Sequence, residues 1–524
     1  MKENLVKIEK NCENGIPEIK ELDGIKTLFV DNEPFLVLGG EVHNSASSSL
    51  EYMEERVWPC IADLNMNTVV VPVTWELLEP CEGQFDFTLV DGLIDQARAN
   101  GMHLILLWFG LWKNSESYYI PVWMKKDSAS YQYVKAANGE RKNIISPICQ
   151  RAIEKDQNAF RQLMRHIREY DGKKHTVLFV QVENEIGVLG SDRDYSDEAN
   201  LLFYEEIPES MKEIFHVSGT WEECFGTEAG EAFMAYYYAC AVEKIASAGK
   251  EEYPIPYYTN VWLKQFPWTK GSYPVGGPVA EVHKIWKVAA PSLFTLAPDI
   301  YVPYVTQVME EYTSEENPLF IPEVRKDAVT AAYCLYAFGK YNAIGYSPFA
   351  VEEYGWDPKD VIVPPMEWLI ALNIDPSAFQ MGGAKECLAA TYSLMENIKP
   401  LYFKYRGTES LQAFVKKGEY DSGELLHFEA VDVVVSHGAK IPEKPISGGM
   451  IIEVEKNCFF VIGVMGKVEF LPKQQDGIAT VVIHEEGHFE QGKWIPRRRL
   501  NGDERYPVQL SDSPQAFYVE VVTG

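Results

Sequence analysis

The chain of 524 residues contains no apolar run approaching the roughly 18 residues that a membrane-spanning helix needs. It has no C-x-x-C pair, no repeat at solenoid periods and no low-complexity tract. No G-x-G-x-x-G follows its first apolar run, which weakens a dinucleotide-binding reading. Positive charge is scarce: 48 Lys and Arg stand against 77 Asp and Glu, a formal net charge of −29. Such a surface repels phosphate backbones and anionic lipid, so neither nucleic acid nor membrane is an expected partner. The nine cysteines, scattered from Cys12 to Cys458, read as small buried hydrophobes in a reducing compartment, not as a zinc site. The segment 1–10 (MKENLVKIEK) lacks the apolar core of a signal peptide, and a cytoplasmic location is expected.

What is present is ordinary globular composition, 46% apolar and 24% charged, with a 13% aromatic fraction. From about residue 35 to 350, short apolar runs alternate with helical spacing. The first four runs are Phe35–Glu41, Thr68–Val73, His103–Phe109 and Thr176–Val182. Four weaker ones, bounded or interrupted by proline, are Ile255–Asn260, Pro298–Val302, Pro318–Pro322 and Ile344–Phe349. Leu50, Met53, Val57, Ile61 and Leu64 form one helical stripe; Ile153, Phe160, Leu163, Met164 and Ile167 form another. Strands apolar on both faces, separated by helices, predict an α/β fold: a (β/α)8 TIM barrel, with an open doubly wound sheet as the competitor. A helix carrying Cys387, Leu388, Thr391, Leu394, Met395 and Ile398 is expected to end at Pro400. Beyond it, short runs at Val431–Ser436, Met450–Val454, Phe459–Val464 and Phe517–Val522 predict a smaller C-terminal antiparallel β domain. The expected division is a barrel with an N-terminal extension over 1–400 and a β-sandwich-like domain over 401–524.

A parallel barrel gathers its site at the C-terminal ends of its strands. In order, those ends offer Glu41 and His43, Trp75 and Glu76, Trp108 and Trp112, Asn184 and Glu185. Asn260 and Trp262, Asp299 and Tyr301, Glu323 and Arg325, and Tyr346 follow. Aromatic faces stack on sugar rings while amides and carboxylates take hydroxyl hydrogen bonds, so the expected partner is a carbohydrate. Glu185, in QVENEIG after the fourth run, and Glu323, in LFIPEVR after the seventh, stand out. Retaining cleavage of a glycosidic bond needs one protonated carboxyl and one ionised carboxylate about 5–5.5 Å apart, and strands four and seven face each other across a mouth. Arg325 would keep Glu323 ionised, while partial desolvation would hold the proton on Glu185. The plainer alternative is that each Glu ends a strand in a surface salt bridge.

These two motifs resemble the acid/base and nucleophile motifs of retaining glycoside hydrolases of clan A. VTWELLEPCEGQFDF (Val73–Phe87) is similar to the signature after the second strand of the β-galactosidase-type families 35 and 42, with family 35 the nearer. The likeness spans most of residues 35 to 350. It implies Glu185 as acid/base, Glu323 as nucleophile and Asn184 as a donor to the sugar 2-hydroxyl. The C-terminal part, including GKWIPRRRLNGDE (Gly492–Glu504), resembles the β domain appended in a bacterial branch of such enzymes. There are departures: Leu106–Pro121 lacks the Glu that contacts galactose in typical family 35 enzymes, and Glu76 and Leu78 replace an Asn and a His. The reading is therefore an exo-acting retaining β-glycosidase, β-galactosidase-like, requiring no metal or organic cofactor. Alternatives are a β-glucoside or β-glucan hydrolase, a transglycosylase on the same site and, from another class, a carbohydrate-binding barrel without catalysis. A homo-oligomer is compatible with the sequence.

Two further signals are set aside. His484-Glu485-Glu486-Gly487-His488 spells the zinc-peptidase motif, but it follows a strand and contains Gly487, so a hairpin turn is expected. Arg497–Arg499 reads as a salt-bridged surface patch, and the cluster Tyr118, Tyr119, Trp123 as either packing or a sugar platform.

Overall fold

The structure, a computed structural model, describes residues 15–361, 363–372, 374–474 and 476–524. The segment 1–10 and Cys12 lie outside the described residues. Eight parallel strands close into a barrel in sequence order. They are β1 (Val37–Glu41), β2 (Thr68–Thr74), β3 (His103–Lys113), β4 (Val177–Asn184), β5 (Tyr257–Trp262), β6 (Leu293–Ile300), β7 (Ile321–Val324) and β8 (Gly345–Pro348). The fold is thus the expected (β/α)8 barrel, not an open sheet. Val37, Val70, Ile105, Leu107, Tyr258 and Phe320 fill its interior together with Leu28 and Val30 of the preceding strand Ile25–Val30. That strand belongs to a three-stranded antiparallel sheet over residues 18–35, and Phe35 belongs to it, not to β1. β6 begins earlier than its apolar run, at Leu293, and carries Pro298 inside it. β7 begins later, so that Glu323 is a strand residue paired in register with Asp299 of β6.

The first helical stripe is an irregular helix. Met53–Val57 forms one wide turn in which Trp58 N–H reaches the Met53 carbonyl, five residues back. Pro59 follows and its ring excludes the regular turn before it. Met53, Val57, Ile61 and Leu64 are buried all the same. The second stripe is the buried face of α1 (Gln150–Asp171), which packs on α2 (Ala229–Glu252). Helix α3 (Thr330–Tyr341) is buried on every side from Thr330 to Gly339. An all-round apolar helix needs a neighbour on both faces. The barrel wall is one, and the first C-terminal sheet is the other.

Helix α4 (Ala384–Tyr405) does not stop at Pro400 but runs through it. The proline removes one helical hydrogen bond, and the neighbouring Asn397 carbonyl accepts Gly492 N–H at 2.7 Å from a hairpin turn outside the helix. Ten strands follow: β9 (Leu411–Val415), β10 (Gly423–His427), β11 (Val431–His437), β12 (Gly448–Glu455) and β13 (Cys458–Val464), then β14 (Gly466–Pro472), β15 (Ala479–Glu490), β16 (Lys493–Arg499), β17 (Val508–Gln509) and β18 (Gln515–Thr523). They make a six-stranded sheet, β9-β12-β13-β18-β15-β16, and a four-stranded sheet, β10-β11-β14-β17. Val431, Val433, Val435, Phe459, Val461 and Phe470 fill the space between the sheets. The six-stranded sheet lays its other face on α3, at small residues: a Cβ at Gly448 would stand 2.7 Å from Ala332 Cβ.

His484 and His488 lie inside β15, not in a hairpin turn. The buried His484 donates from Nδ1 to the Arg505 carbonyl (2.7 Å), while His488 pairs with Glu490 at the surface. Among the described residues no group of three His, Cys, Asp or Glu is placed to hold a metal ion. Arg498 pairs with Glu486 and Glu504 on the surface. All eight described cysteines are free, and only Cys149, Cys334 and Cys387 are fully buried; Cys81 is exposed. No helix of the described residues is long and apolar enough to cross a membrane.

Candidate active site

Seven of the side chains singled out in the sequence meet at or beside the barrel mouth. Glu185 follows β4, and its N–H donates to Asn260 Oδ1 on β5 at 2.8 Å. Asn260 in turn donates to Asp299 Oδ2 on β6 at 2.6 Å. Asp299 lies in register with Glu323 on β7, and Tyr301 Oη donates to Glu323 Oε1 at 2.5 Å. Glu41, on β1, is fully buried and feels the charges of Glu323 and Glu185. Asn184 is buried with no hydrogen-bond partner on either amide atom, and Glu41 Oε1 and Asp299 Oδ1 are likewise unpaired. Buried polar atoms left open in this way are the ones a polar ligand would satisfy.

Regular strand alternation breaks where these groups meet. Glu183 and Glu185 both have positive φ, 62° and 46°, which costs about 1–3 kcal/mol per residue unless the surroundings hold it. Here the surroundings do: Asn260 takes the Glu185 N–H, and Ser115 N–H donates to the Glu185 carbonyl at 3.1 Å. Asn114 donates to the Glu185 carboxylate.

Four carboxyls so close cannot all ionise. Burial and then the neighbouring Glu323 charge push the Glu185 carboxyl up to about 7. Burial and the charges of Glu323, Glu185 and Glu41 hold Asp299 well above the usual carboxylate range. Glu41 is raised well above it by the same two causes. Glu323 is raised by burial alone, and Lys113 and the Tyr301 hydroxyl pull it back. The site therefore treats its carboxyls differently: Lys113 and the Tyr301 hydroxyl favour the charged form of Glu323, while burial and the Glu323 charge favour the proton on Glu185.

Lys113 is the residue the sequence reading missed. It is 7% exposed, and its ammonium stands 5.0 Å from the centre of the Phe109 ring. Its charge bears on Glu41, Glu185, Asp299 and Glu323. The apolar run His103–Phe109 stops four residues short of it, whereas β3 continues to Lys113.

Several expected contacts are not made. Arg325 does not reach Glu323; it forks onto Asp327 (2.7 and 2.8 Å) and bonds Asp375 (2.9 Å) and Ser377 (2.8 Å). Trp75, Trp108 and Trp112 are fully buried and serve packing. Their indole N–H groups are spent on Glu79 (2.7 Å), Asp156 (2.7 Å) and the Ile145 carbonyl (2.8 Å). Glu76 forms an ion pair with Lys125, half-exposed on both sides. Tyr346 is buried against Thr330 at 3.5 Å. His43 Nε2 is engaged by Glu353 Oε1 at 2.6 Å, its ring stacks on Trp356, and Glu353 also pairs with Lys326. Trp262 is half-buried, its N–H on Gln265 Oε1 at 3.2 Å. Of the aromatic cluster after β3, Tyr118 is exposed, while Trp123 packs edge-on against Trp75. Replacing Arg325 by Met leaves the buried Asp327 and the half-buried Asp375 without their cation. A loss of about 3–5 kcal/mol in urea unfolding is expected, against an unchanged Glu323 ionisation.

Comparisons with known proteins agree with the barrel chemistry. Residues 51–233 match a family model described as beta-galactosidase (Glyco_hydro_42), and residues 388–511 match one described as a domain of unknown function (DUF5597). A beta-galactosidase from Xanthomonas manihotis is 26% identical over 181 residues, 34% of this chain. The chain's match spans 28% of the length of that curated relative. Among solved structures, the cold-adapted beta-galactosidase of Rahnella sp. R3 is 15% identical with a TM-score of 0.44, covering 60% of this chain and 50% of that one. The beta-galactosidase of the psychrophilic Marinomonas ef1 is 12% identical with a TM-score of 0.44, covering 68% and 65%. Over residues 51–233, then, the chain is similar to beta-galactosidases.

Proposed function

We propose that the protein is a retaining, exo-acting β-glycosidase of the β-galactosidase type. The observation that carries this reading is the meeting of Glu185 and Glu323 in one mouth, two buried carboxyls linked through Asn260 and Asp299, with the Glu185 carboxyl pushed up to about 7 by burial and the Glu323 charge. Glu323 attacks the anomeric carbon while the glycosidic C–O bond breaks and the Glu185 proton passes to the departing oxygen. Water then adds to the same carbon, giving its proton to Glu185 and releasing Glu323. Asn184, Asn260, Asp299, Tyr301 and Glu41 hold the sugar or the two carboxyls, and Asn184 donates to the 2-hydroxyl. None of these steps calls for a cofactor.

The finer placement in family 35 rests on Val73–Phe87 and belongs to this proposal, as do the boundary near residue 400 and the cytoplasmic location. Lys113 stands in the stretch where a galactose-reading Glu was missed, so β-glucosides and short β-glucans remain the second substrate reading. A panel of aryl galactosides, glucosides and arabinosides and β-linked disaccharides tests both. Turnover with retained product anomer by NMR is expected; sugar binding without turnover across the panel would instead favour a non-catalytic barrel.

A further inference from the structure

Strand β3 does not run straight into the mouth. Its pairing with β4 slips between Trp108 and Lys113, so the chain bulges where Gly110, Leu111 and Trp112 lie. Two carboxyls catch the bulge. Glu183, from β4, accepts Leu111 N–H at 3.1 Å and Trp112 N–H at 2.7 Å. Asp156, from α1 outside the barrel, accepts Leu111 N–H at 3.0 Å and the Trp108 indole N–H at 2.7 Å. Both are fully buried. There is no room for a side chain at the centre: a Cβ at Gly110 would stand 2.5 Å from Asp156 Oδ2, Glu183 Oε1 and Trp108 Nε1.

A buried acid pair is an expensive way to brace a loop, because apolar packing would hold it without the desolvation cost. What this brace delivers is Lys113. Regular pairing would carry β3 on beside β4; the bulge instead restores the register at Lys113 opposite Asn184, directly before Glu185. The lysine is over nine-tenths buried, and its ammonium is given no protein hydrogen bond, only the Phe109 face. The titratable groups its charge bears on are Glu41, Glu185, Asp299 and Glu323, and Tyr258, Tyr301 and Glu352 interact in turn with those carboxyls.

We infer that Lys113 is the cation of the catalytic mouth, binding a sugar hydroxyl and keeping Glu323 ionised, and that Glu183 and Asp156 are positioning residues that set it there through the bulge. This rests on the glycosidase reading for its substrate and deepens it. Burial pushes the Asp156 carboxyl up to about 6, and burial with the Asp156 charge holds Glu183 well above the usual carboxylate range. Both carboxyls are spent on the N–H groups of the bulge and the Trp108 indole, not on Lys113.

The test compares the pH dependence of kcat/KM in the wild type, Lys113→Met, Lys113→Arg and Asp156→Asn, with thermal stability measured alongside. Without its cation Glu323 needs a higher pH to ionise. In Lys113→Met the acidic limb is expected to move up by about one pH unit or more, so that activity lost grows to about 10-fold below the limb. Asp156→Asn should move it in the same direction, and Lys113→Arg should restore it. An unmoved limb in Lys113→Met would overturn the role of the lysine. A limb unmoved in Asp156→Asn, with only a lowered Tm, would reduce the latch to architecture. The 13C titration of the Glu323 carboxyl by NMR reads the same shift without turnover. Absence of activity in the wild type would therefore sink the glycosidase reading while the titration still decides this one.

Discussion

Glu323→Ala is expected to lower kcat by about 10⁴–10⁶-fold, the scale on which removing a nucleophile acts in other enzymes. The loss follows from the order of the steps: without the β7 carboxylate no covalent glycosyl intermediate forms, and water has no route to the occupied face. The decisive readout is rescue. Azide fits the space left by the missing carboxylate and attacks the anomeric carbon from that side, with Glu185 still able to protonate the leaving group. One displacement replaces two, so the product is a glycosyl azide of inverted configuration. Glu185→Ala should behave differently with the same reagent: Glu323 still forms the intermediate, azide opens it, and configuration is retained. A retained azide from the Glu323 variant would exchange the two assignments. Full activity in that variant would end the proposal.

The second large effect lies on the alkaline side. Glu185 works as an acid only while it holds its proton, and its carboxyl is pushed up to about 7. The kcat/KM profile should therefore hold a plateau between the acidic limb of Glu323 and that pH, and fall about tenfold per pH unit above it. Removing the neighbouring charge in Glu323→Gln lowers that pKa, so the Glu185 proton should leave at a lower pH, readable by 13C NMR. In Glu185→Gln the alkaline limb should vanish, with the deepest loss of rate on substrates whose leaving groups most need a proton. A limb that survives in Glu185→Gln would assign it to another group, Asp299 being the nearest partner in charge.

The barrel was legible because its first four strands are apolar on both faces, a pattern that only a covered parallel sheet requires. Glu185 and Glu323 were legible because motif and strand end coincide. The errors share one cause. Whether a residue at a strand end points to the mouth or to the helices depends on unbroken alternation, and this barrel breaks it with the β3 bulge and the positive φ at Glu183 and Glu185. Trp108 precedes the bulge and shares the outer core with Leu104 and Leu106, opposite Ile105, Leu107 and Phe109, and the bulge then sets Lys113 opposite Asn184. Arg325 follows Glu323 by two residues, yet the chain has left β7 between them, and the arginine turns to Asp327 and Asp375. The helix expected to stop at Pro400 goes on through it, and Gly492 N–H from a distant turn bonds the Asn397 carbonyl alongside. No reading of local sequence carries that information.

Helix α3 begins six residues after β7 ends and leads into β8, and all of it from Thr330 to Gly339 is out of water. Half of that shelter is the six-stranded sheet, whose Ala413, Met450 and Ile462 share one continuous core with Tyr333, Leu335 and Phe338. The stretch of barrel bearing Glu323 and the C-terminal sheets thus share one continuous core. An exchange of those sheets would reach the Glu323 carboxyl from behind, without touching a residue in the mouth.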